Sequence, residues 1–173
     1  MRFISLILMA VVVALLMESN GGRLAAATNS YPLIKNRDQI RLMIETEAKR
    51  MRFSVPLALS VAHAESHFNP RALSKKGARG VMQIMPATSI GEYGINPDQL
   101  WEPIINIRMG IHFLRRLIKQ YGRTDLALSH YNGGSAVAQF GNARVLPWTH
   151  SYVRKVRRLQ RRYYRNALHG GWR

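Results

Sequence analysis

Apolar residues recur at spacings of three and four along most of the chain. Sustained alternation is absent, so the pattern predicts helices and no strand. Ile40, Met43, Ile44 and Ala48 make one face of a first helix, Arg37 to Met51. Ser54 caps a second helix running through Ser66, with Pro56 in its first turn, where a missing N–H costs nothing. Leu57, Ala58, Leu59, Val61, Ala62 and Ala64 make that helix apolar nearly all round, which predicts burial. Asn69-Pro70 ends it, because the residue before proline leaves the helical region. A loop follows to about Gly80, with Gly77 and Gly80 supplying permissive backbone. Thr88 to Tyr93 reads as a short helix and Asn96-Pro97 as a turn. The longest helix starts at Glu102-Pro103 and runs to about Tyr121 on the stripe Ile107, Ile111, Leu114, Ile118 and Tyr121. Gly122 stops it, and Thr124 or Asp125 caps a helix from Leu126 to Tyr131. Asn132-Gly133-Gly134 is a turn, and a final helix covers about Ser151 to Asn166. The expectation is one all-α domain of about seven short helices.

The N-terminus has a different pattern. Met1, Arg2 and Phe3 give a short positive start, Ile4 to Met17 is apolar but for Ser5, and Ala25-Ala26-Ala27 follows a polar stretch. This order predicts a secretory signal peptide over 1–27 and a mature domain over 28–173, exported to the periplasm. The apolar run is short for a membrane span of ~20 residues; an uncleaved anchor is the alternative. The chain has no cysteine, which excludes disulfides, a thiol nucleophile, a thiolate metal site and a lipid anchor on cysteine. The net charge of +17 draws it to polyanions. Charge alone does not choose among nucleic acid, cell wall and lipid head groups, but export argues against nucleic acid.

Glu65 is the most informative residue. It lies near the end of the apolar helix, where desolvation raises a carboxyl pKa and favours the protonated form a general acid needs. The alternative is a structural glutamate paired to Arg71 or Arg79.

From Glu65 the chain reads Ser66-His67-Phe68-Asn69-Pro70-Arg71-Ala72-Leu73-Ser74, then Gly77-Ala78-Arg79-Gly80-Val81-Met82-Gln83-Ile84-Met85-Pro86-Ala87-Thr88. This resembles the catalytic segment of the soluble lytic transglycosylases, E-S-x-aromatic-x-P-x-A-x-S followed by G-A-x-G-L-M-Q-I-x-P-x-T, with Val81 where Leu is usual. Two further blocks agree in order: Glu102-Pro103-Ile104-Ile105-Asn106-Ile107-Arg108-Met109-Gly110, and Ala127-Leu128-Ser129-His130-Tyr131-Asn132-Gly133-Gly134. In the latter Gly133 stands where Ala is usual, which predicts a looser turn. Thr149-His150-Ser151-Tyr152-Val153 is similar to the family's T-x-x-Y-V. The resemblance spans about residues 36 to 158.

The resemblance implies a single lysozyme-like helical domain, shared with goose-type lysozymes, that cleaves peptidoglycan glycan strands. Glu65 falls on the catalytic glutamate. Ser74 and Gln83 fall on polar residues of the sugar cleft, and Tyr152 on a tyrosine that reaches the active site. Asn132 and Tyr131 are candidate sugar contacts, although Asn132 is also a natural turn former and Tyr131 fits the apolar side of its helix. Met82 is counted with the substrate-binding residues, though methionine more often packs in a core. Most glycosidases use two carboxylates. Here Glu92, Asp98, Glu102 and Asp125 read as helix-end or loop residues, which favours a one-carboxylate mechanism. The implied reaction protonates the bond between N-acetylmuramic acid and N-acetylglucosamine and closes the C6 hydroxyl onto C1, giving a 1,6-anhydro sugar.

No cofactor is implied and no metal site is expected. His63 and His67 are four apart on one helix, but a third ligand is not evident. The C-terminal helix is basic: Arg154, Lys155, Arg157, Arg158, Arg161, Arg162 and Arg165 interleave with Tyr152, Val153, Val156, Leu159 and Tyr163. It reads as a packed helix with a solvated face, or as a contact to an anionic wall or membrane surface. Specific nucleic-acid binding is not expected. The competing functions are a hydrolytic lysozyme and a non-catalytic wall-docking accessory; components of a secretion system or flagellum are candidate partners.

Overall fold

The computed structural model describes residues 36–138 and 143–169, so the signal peptide expected over 1–27 lies outside the described residues. Asn36 opens helix α1 (Arg37–Arg50) with a capping box: its side chain accepts from the amides of Asp38 and Gln39, and Gln39 reaches back to its N–H. Helix α2 (Val55–Ser66) follows, capped by the Ser54 side chain. Helix α3 (Pro86–Tyr93) and a 3-10 turn (Pro97–Trp101) lead to α4 (Pro103–Tyr121). Helix α5 (Thr124–Gly133) is next, then 3-10 turns at Ser135–Ala138 and Pro147–Thr149, and finally α6 (His150–Leu168). Among the described residues there is no strand, only isolated bridges pairing Leu73 with Arg79 and Arg79 with Ile84. No helix among them is long and apolar enough to cross a membrane.

The apolar stripes expected from the sequence meet in one core. Ile40 and Ile44 of α1, Leu59 of α2, Ile107, Ile111 and Leu114 of α4, Leu128 of α5 and Val156 of α6 are fully buried there. Each such side chain contributes about 1.5–3 kcal/mol. α2 packs most extensively on α6 and also on α1, which is why it is apolar nearly all round. α4 packs on α5 and α1. One buried charge joins the layers: Glu47 of α1, 1% exposed, accepts from Arg108 of α4 and from Arg50. Burial alone would raise its pKa, but the two guanidiniums hold it below the usual carboxylate range.

α2 ends at Ser66, as the sequence predicts, but the stop comes before Asn69-Pro70: His67 (φ 53) and Phe68 (φ 67) both turn left-handed. The turn carries the Phe68 ring into the core, where it is 5% exposed. α3 starts at Pro86 rather than Thr88, with the proline in the first turn it suits. Arg123, not Thr124 or Asp125, is the N-cap of α5. α5 also runs on to Gly133, so Asn132 lies in its last turn rather than in a loop. Gly133 does not loosen that end. A Cβ there would lie 2.7 Å from Thr149 Cγ2 and 3.0 Å from Leu146 Cδ1, so the missing side chain admits the Pro147–Thr149 turn against the helix.

Candidate active site

Glu65 stands in the last turn of α2, where that helix meets the start of α6. Its residue is only partly accessible. The Tyr152 hydroxyl, one turn into α6, donates to Glu65 Oε1 at 2.6 Å. Lys155, three residues further along α6, donates its ammonium to the Ala64 carbonyl at 2.8 Å. That carbonyl is one of the helix-end acceptors left open by α2, and a cation suits this end of the dipole. Burial pushes the Glu65 carboxyl up from 4.5 to about 7, against the Tyr152 hydrogen bond and the Lys155 charge, which both pull it down. Burial and the neighbouring Glu65 raise the Tyr152 phenol well above its ordinary value, so it stays a donor at neutral pH.

The loop between α2 and α3 lies beside Glu65 and is tied down from several sides. Ser66, next to Glu65, donates to the Val81 carbonyl at 2.7 Å. Asn106 of α4, fully buried, accepts from the Met82 amide at 2.7 Å and donates to the carbonyls of Arg79 (2.8 Å) and Leu100 (3.0 Å). Gly80 makes this clamp possible. It has φ +75, and a Cβ there would sit 2.5 Å from Asn106 Nδ2. From the other side the Tyr131 hydroxyl of α5 donates to the Met82 carbonyl at 2.9 Å. The peptide groups flanking Met82 are therefore gripped by α4 through the amide and by α5 through the carbonyl.

The residues singled out in the sequence divide accordingly. Glu65 and Tyr152 are in direct contact. Tyr131 joins them through the loop, and its phenol is raised well above the ordinary value by burial and by the nearby Glu65 charge. Ser74 and Gln83 belong to the loop and also fold it. Ser74 Oγ accepts from the Ala78 amide at 3.0 Å, and Gln83 Nε2 donates to the carbonyls of Ala72 and Gly80, each at 3.0 Å. Gln83 holds φ 50, a left-handed conformation that costs energy outside glycine and is fixed here by those bonds. Asn132 is exposed at the end of α5. Met82 is the correction. Its side chain is 0% exposed and lies against Gly110, where a Cβ would meet its sulfur at 2.5 Å. It is a core residue that serves the site through its backbone.

Among the described residues Glu65 has no arginine partner. Arg79 instead bonds the Pro97 carbonyl and Asp98. Among the described residues Glu92, Asp98 and Asp125 are each held by an arginine elsewhere, and Glu102 occupies the N-cap position of α4. His63 accepts or donates at 2.6 Å with the Tyr163 hydroxyl, and its ring stands 5.0 Å from that of His67. Burial and the cations of Arg162, Lys155 and Arg41 bring its pKa down to about 4, so it is neutral at physiological pH. Lys155, Asn106 and Ser66 were not singled out by the sequence. Lys155 carries a signal in retrospect, since it falls three residues after Tyr152 and shares its side of the helix.

Comparison with known proteins identifies the family. Residues 42–144, more than half of the chain, match the family described as Transglycosylase SLT domain. The soluble lytic murein transglycosylase of Salmonella typhimurium is 40% identical over 86 residues, covering 44% of this chain and 13% of that protein. A transglycosylase of Enterobacteria phage PRD1 is 37% identical over 100 residues, covering 58% of this chain and 35% of that one. The membrane-bound lytic murein transglycosylase F of Pseudoalteromonas translucida is 33% identical over 130 residues, with 66% and 27% covered. Among solved structures, the 70-kDa soluble lytic transglycosylase in complex with bulgecin A superposes with a TM-score of 0.60 at 25% identity, over 75% of this chain and 24% of that one. The chain therefore spans at most 35% of the length of these relatives. Their shared fold is the all-α, lysozyme-like domain.

Proposed function

The chain belongs to the SLT transglycosylase family, and from that premise we propose that it is a peptidoglycan lytic transglycosylase with Glu65 as its one acid and base. The observation that supports this most is the state of Glu65: a carboxyl enclosed at a helix end, with a pKa of about 7 and a tyrosine donor on one oxygen. Such a group is protonated in an appreciable fraction of molecules at neutral pH, yet remains a usable base once ionised. It gives its proton to the glycosidic oxygen between N-acetylmuramic acid and N-acetylglucosamine, and the C1–O bond breaks. The carboxylate then takes the proton of the muramic acid C6 hydroxyl, whose oxygen bonds to C1. The 1,6-anhydro ring forms, Glu65 ends protonated, and no water is consumed.

Tyr152 fixes Oε1, so Oε2 carries the transferred proton. Lys155 keeps the carboxylate form accessible for the second step. Ser74, Gln83 and Asn132 supply hydrogen bonds to acetamido and hydroxyl groups, and Tyr131 and Tyr152 supply faces for a sugar ring. The soluble and membrane-bound murein relatives support an envelope location. A signal peptide over 1–27 delivers the chain to the periplasm. There it opens the wall locally, in the service of a secretion system or flagellum.

Mass spectrometry of the fragments released from purified peptidoglycan tests the reaction. Anhydro-muropeptides, a water lighter than hydrolytic products, are expected from the native protein. Glu65→Gln is expected to lower their release by about a hundredfold or more. Reducing-end products lost with the variant would identify a lysozyme. No fragments from either protein would leave an accessory protein.

A further inference from the structure

The outer face of α6 takes no part in the site, the core or any ion pair described above, and its composition is one-sided. The helix runs from His150 to Leu168 without an acidic residue. Its apolar side is used in the core by Val153, Val156, Leu159 and Tyr163, and Tyr152 and Lys155 turn to α2. Helical geometry places Arg154, Arg157, Arg158, Arg161 and Arg165 within about 100° of one another on the remaining side, over about 16 Å of helix. All are exposed, and none joins an ion pair among the described residues. Arg154 and Arg158, Arg157 and Arg161, and Arg161 and Arg165 are like charges one turn apart, each pair unfavourable until a counter-charge arrives.

Two further features adjoin this stripe. Tyr164 and Leu168 border it and are 59% and 67% exposed. At its C-terminal end a cavity of about 440 Å³ opens between the start of α2 and the end of α6, lined by Ser54, Pro56, Gln160, Arg161, Tyr164 and Arg165. That lining sets two guanidiniums and a phenol around a space large enough for a phosphate group.

We propose that this face docks the protein on an anionic phospholipid surface, with the arginine stripe on the phosphates and a headgroup in the cavity. Guanidinium forks match phosphate oxygens, and each basic residue at such a surface adds to the attraction. A polyanionic wall polymer would satisfy the charges but leave Tyr164 and Leu168 idle. A lipid interface takes both, since a tyrosine ring and an aliphatic chain seat at headgroup level. The apolar side of α6 is held in the core and is not free to insert, so the contact is peripheral, electrostatic and reversed by salt. Tyr152 and the stripe lie on opposite sides of α6, so the docked protein keeps Glu65 turned from the lipid. The inference goes beyond the proposed reaction and is read without catalysis.

The test is sedimentation of the whole chain with vesicles of phosphatidylcholine containing one-quarter phosphatidylglycerol, against pure phosphatidylcholine. One variant replaces the stripe arginines 154, 157, 158, 161 and 165 with glutamine. A control replaces Arg37, Lys49, Arg52, Lys119 and Arg144, all exposed, and has the same net charge. Each arginine at the surface is worth about fivefold. The stripe variant is therefore expected to bind the anionic vesicles about a hundredfold or more weakly than the native chain, with less than about a tenfold loss in the control. Tyr164→Ser is expected to weaken binding severalfold. Equal losses in the two charge variants would overturn the proposal, because binding would then follow net charge alone. Stripe-dependent pelleting with purified sacculi but not with vesicles would also overturn it and assign the face to the wall. If the quintuple variant loses its helical circular dichroism, Arg161→Gln with Arg165→Gln carries the same comparison.

Discussion

A single carboxyl that must act first as acid and then as base needs a pKa near the working pH, and burial and two neighbouring groups set it for Glu65. Burial raises it; the Tyr152 hydrogen bond and the Lys155 ammonium bring it back to about 7. Removing either of the latter leaves burial less opposed. Tyr152→Phe and Lys155→Met are each expected to raise the Glu65 pKa above 7, read directly by NMR titration of its carboxyl carbon. Because the acid form is lost as pH rises through the pKa, the alkaline limb of the activity profile moves to higher pH in both. The turnover falls about tenfold, because the carboxyl becomes a weaker proton donor to the glycosidic oxygen in the first step. Lys155→Arg, which keeps the charge, is expected to restore most of the native titration. The sequence made Glu65 legible because a carboxylate on a helix apolar nearly all round is anomalous, and because the block after it is distinctive. Lys155 stayed hidden in a run of cations: whether one of them points inward depends on helix phase, and that is fixed only when Val156 and Tyr163 find the core.

The helices were readable from spacing, and what spacing missed has physical causes. Proline and glycine signals located the starts and stops of α4 closely. Nothing local shows that α2 ends through two left-handed residues, because that turn is driven by burial of Phe68, a contact distant in sequence. The loop after α2 reads as irregular, and its order comes from Asn106, a polar residue inside the stripe of α4. Buried there with its amide saturated, it has no role except to hold Met82, Arg79 and Leu100. Asn106→Ala leaves one donor and two acceptors without their partner. It is expected to cost about 2–4 kcal/mol in denaturant unfolding. It should also cut activity more than the stability loss explains, since the Tyr131 contact depends on the Met82 carbonyl staying in place.

At the scale of the whole molecule, the functional carboxyl is a liability to the fold. Its pKa rises from 4.5 to about 7 on folding, so the native state binds a proton that the unfolded chain has released in that window. Stability therefore falls as pH rises from about 4.5 to 7, by about 3 kcal/mol in all, and the penalty persists above pH 7. Glu65→Gln removes it. The variant is expected to melt higher than the native protein at pH 8, with the difference vanishing below pH 4.5, in paired thermal scans. Glu47 works in the opposite sense: held low by Arg108 and Arg50, it stabilises the fold at neutral pH and loses that contribution as acid protonates it. The molecule-wide charge of +17 was legible as an attraction to polyanions. The basic, amphipathic character of the last helix was legible too, and the structure buries the apolar side that spacing marked, Val153, Val156, Leu159 and Tyr163.

The grip on Met82 has a consequence for the timing of events at the site. Its amide sits in a loop, yet it is bonded at 2.7 Å to a fully buried side chain between helices. Such an amide exchanges its hydrogen with solvent only when the domain opens as a whole. In deuterium the Met82 amide should therefore persist as long as the central amides of α4, and a bound glycan should add little to its protection. The cleft is in that case rigid before substrate arrives, and the cost of ordering it is met once, during folding.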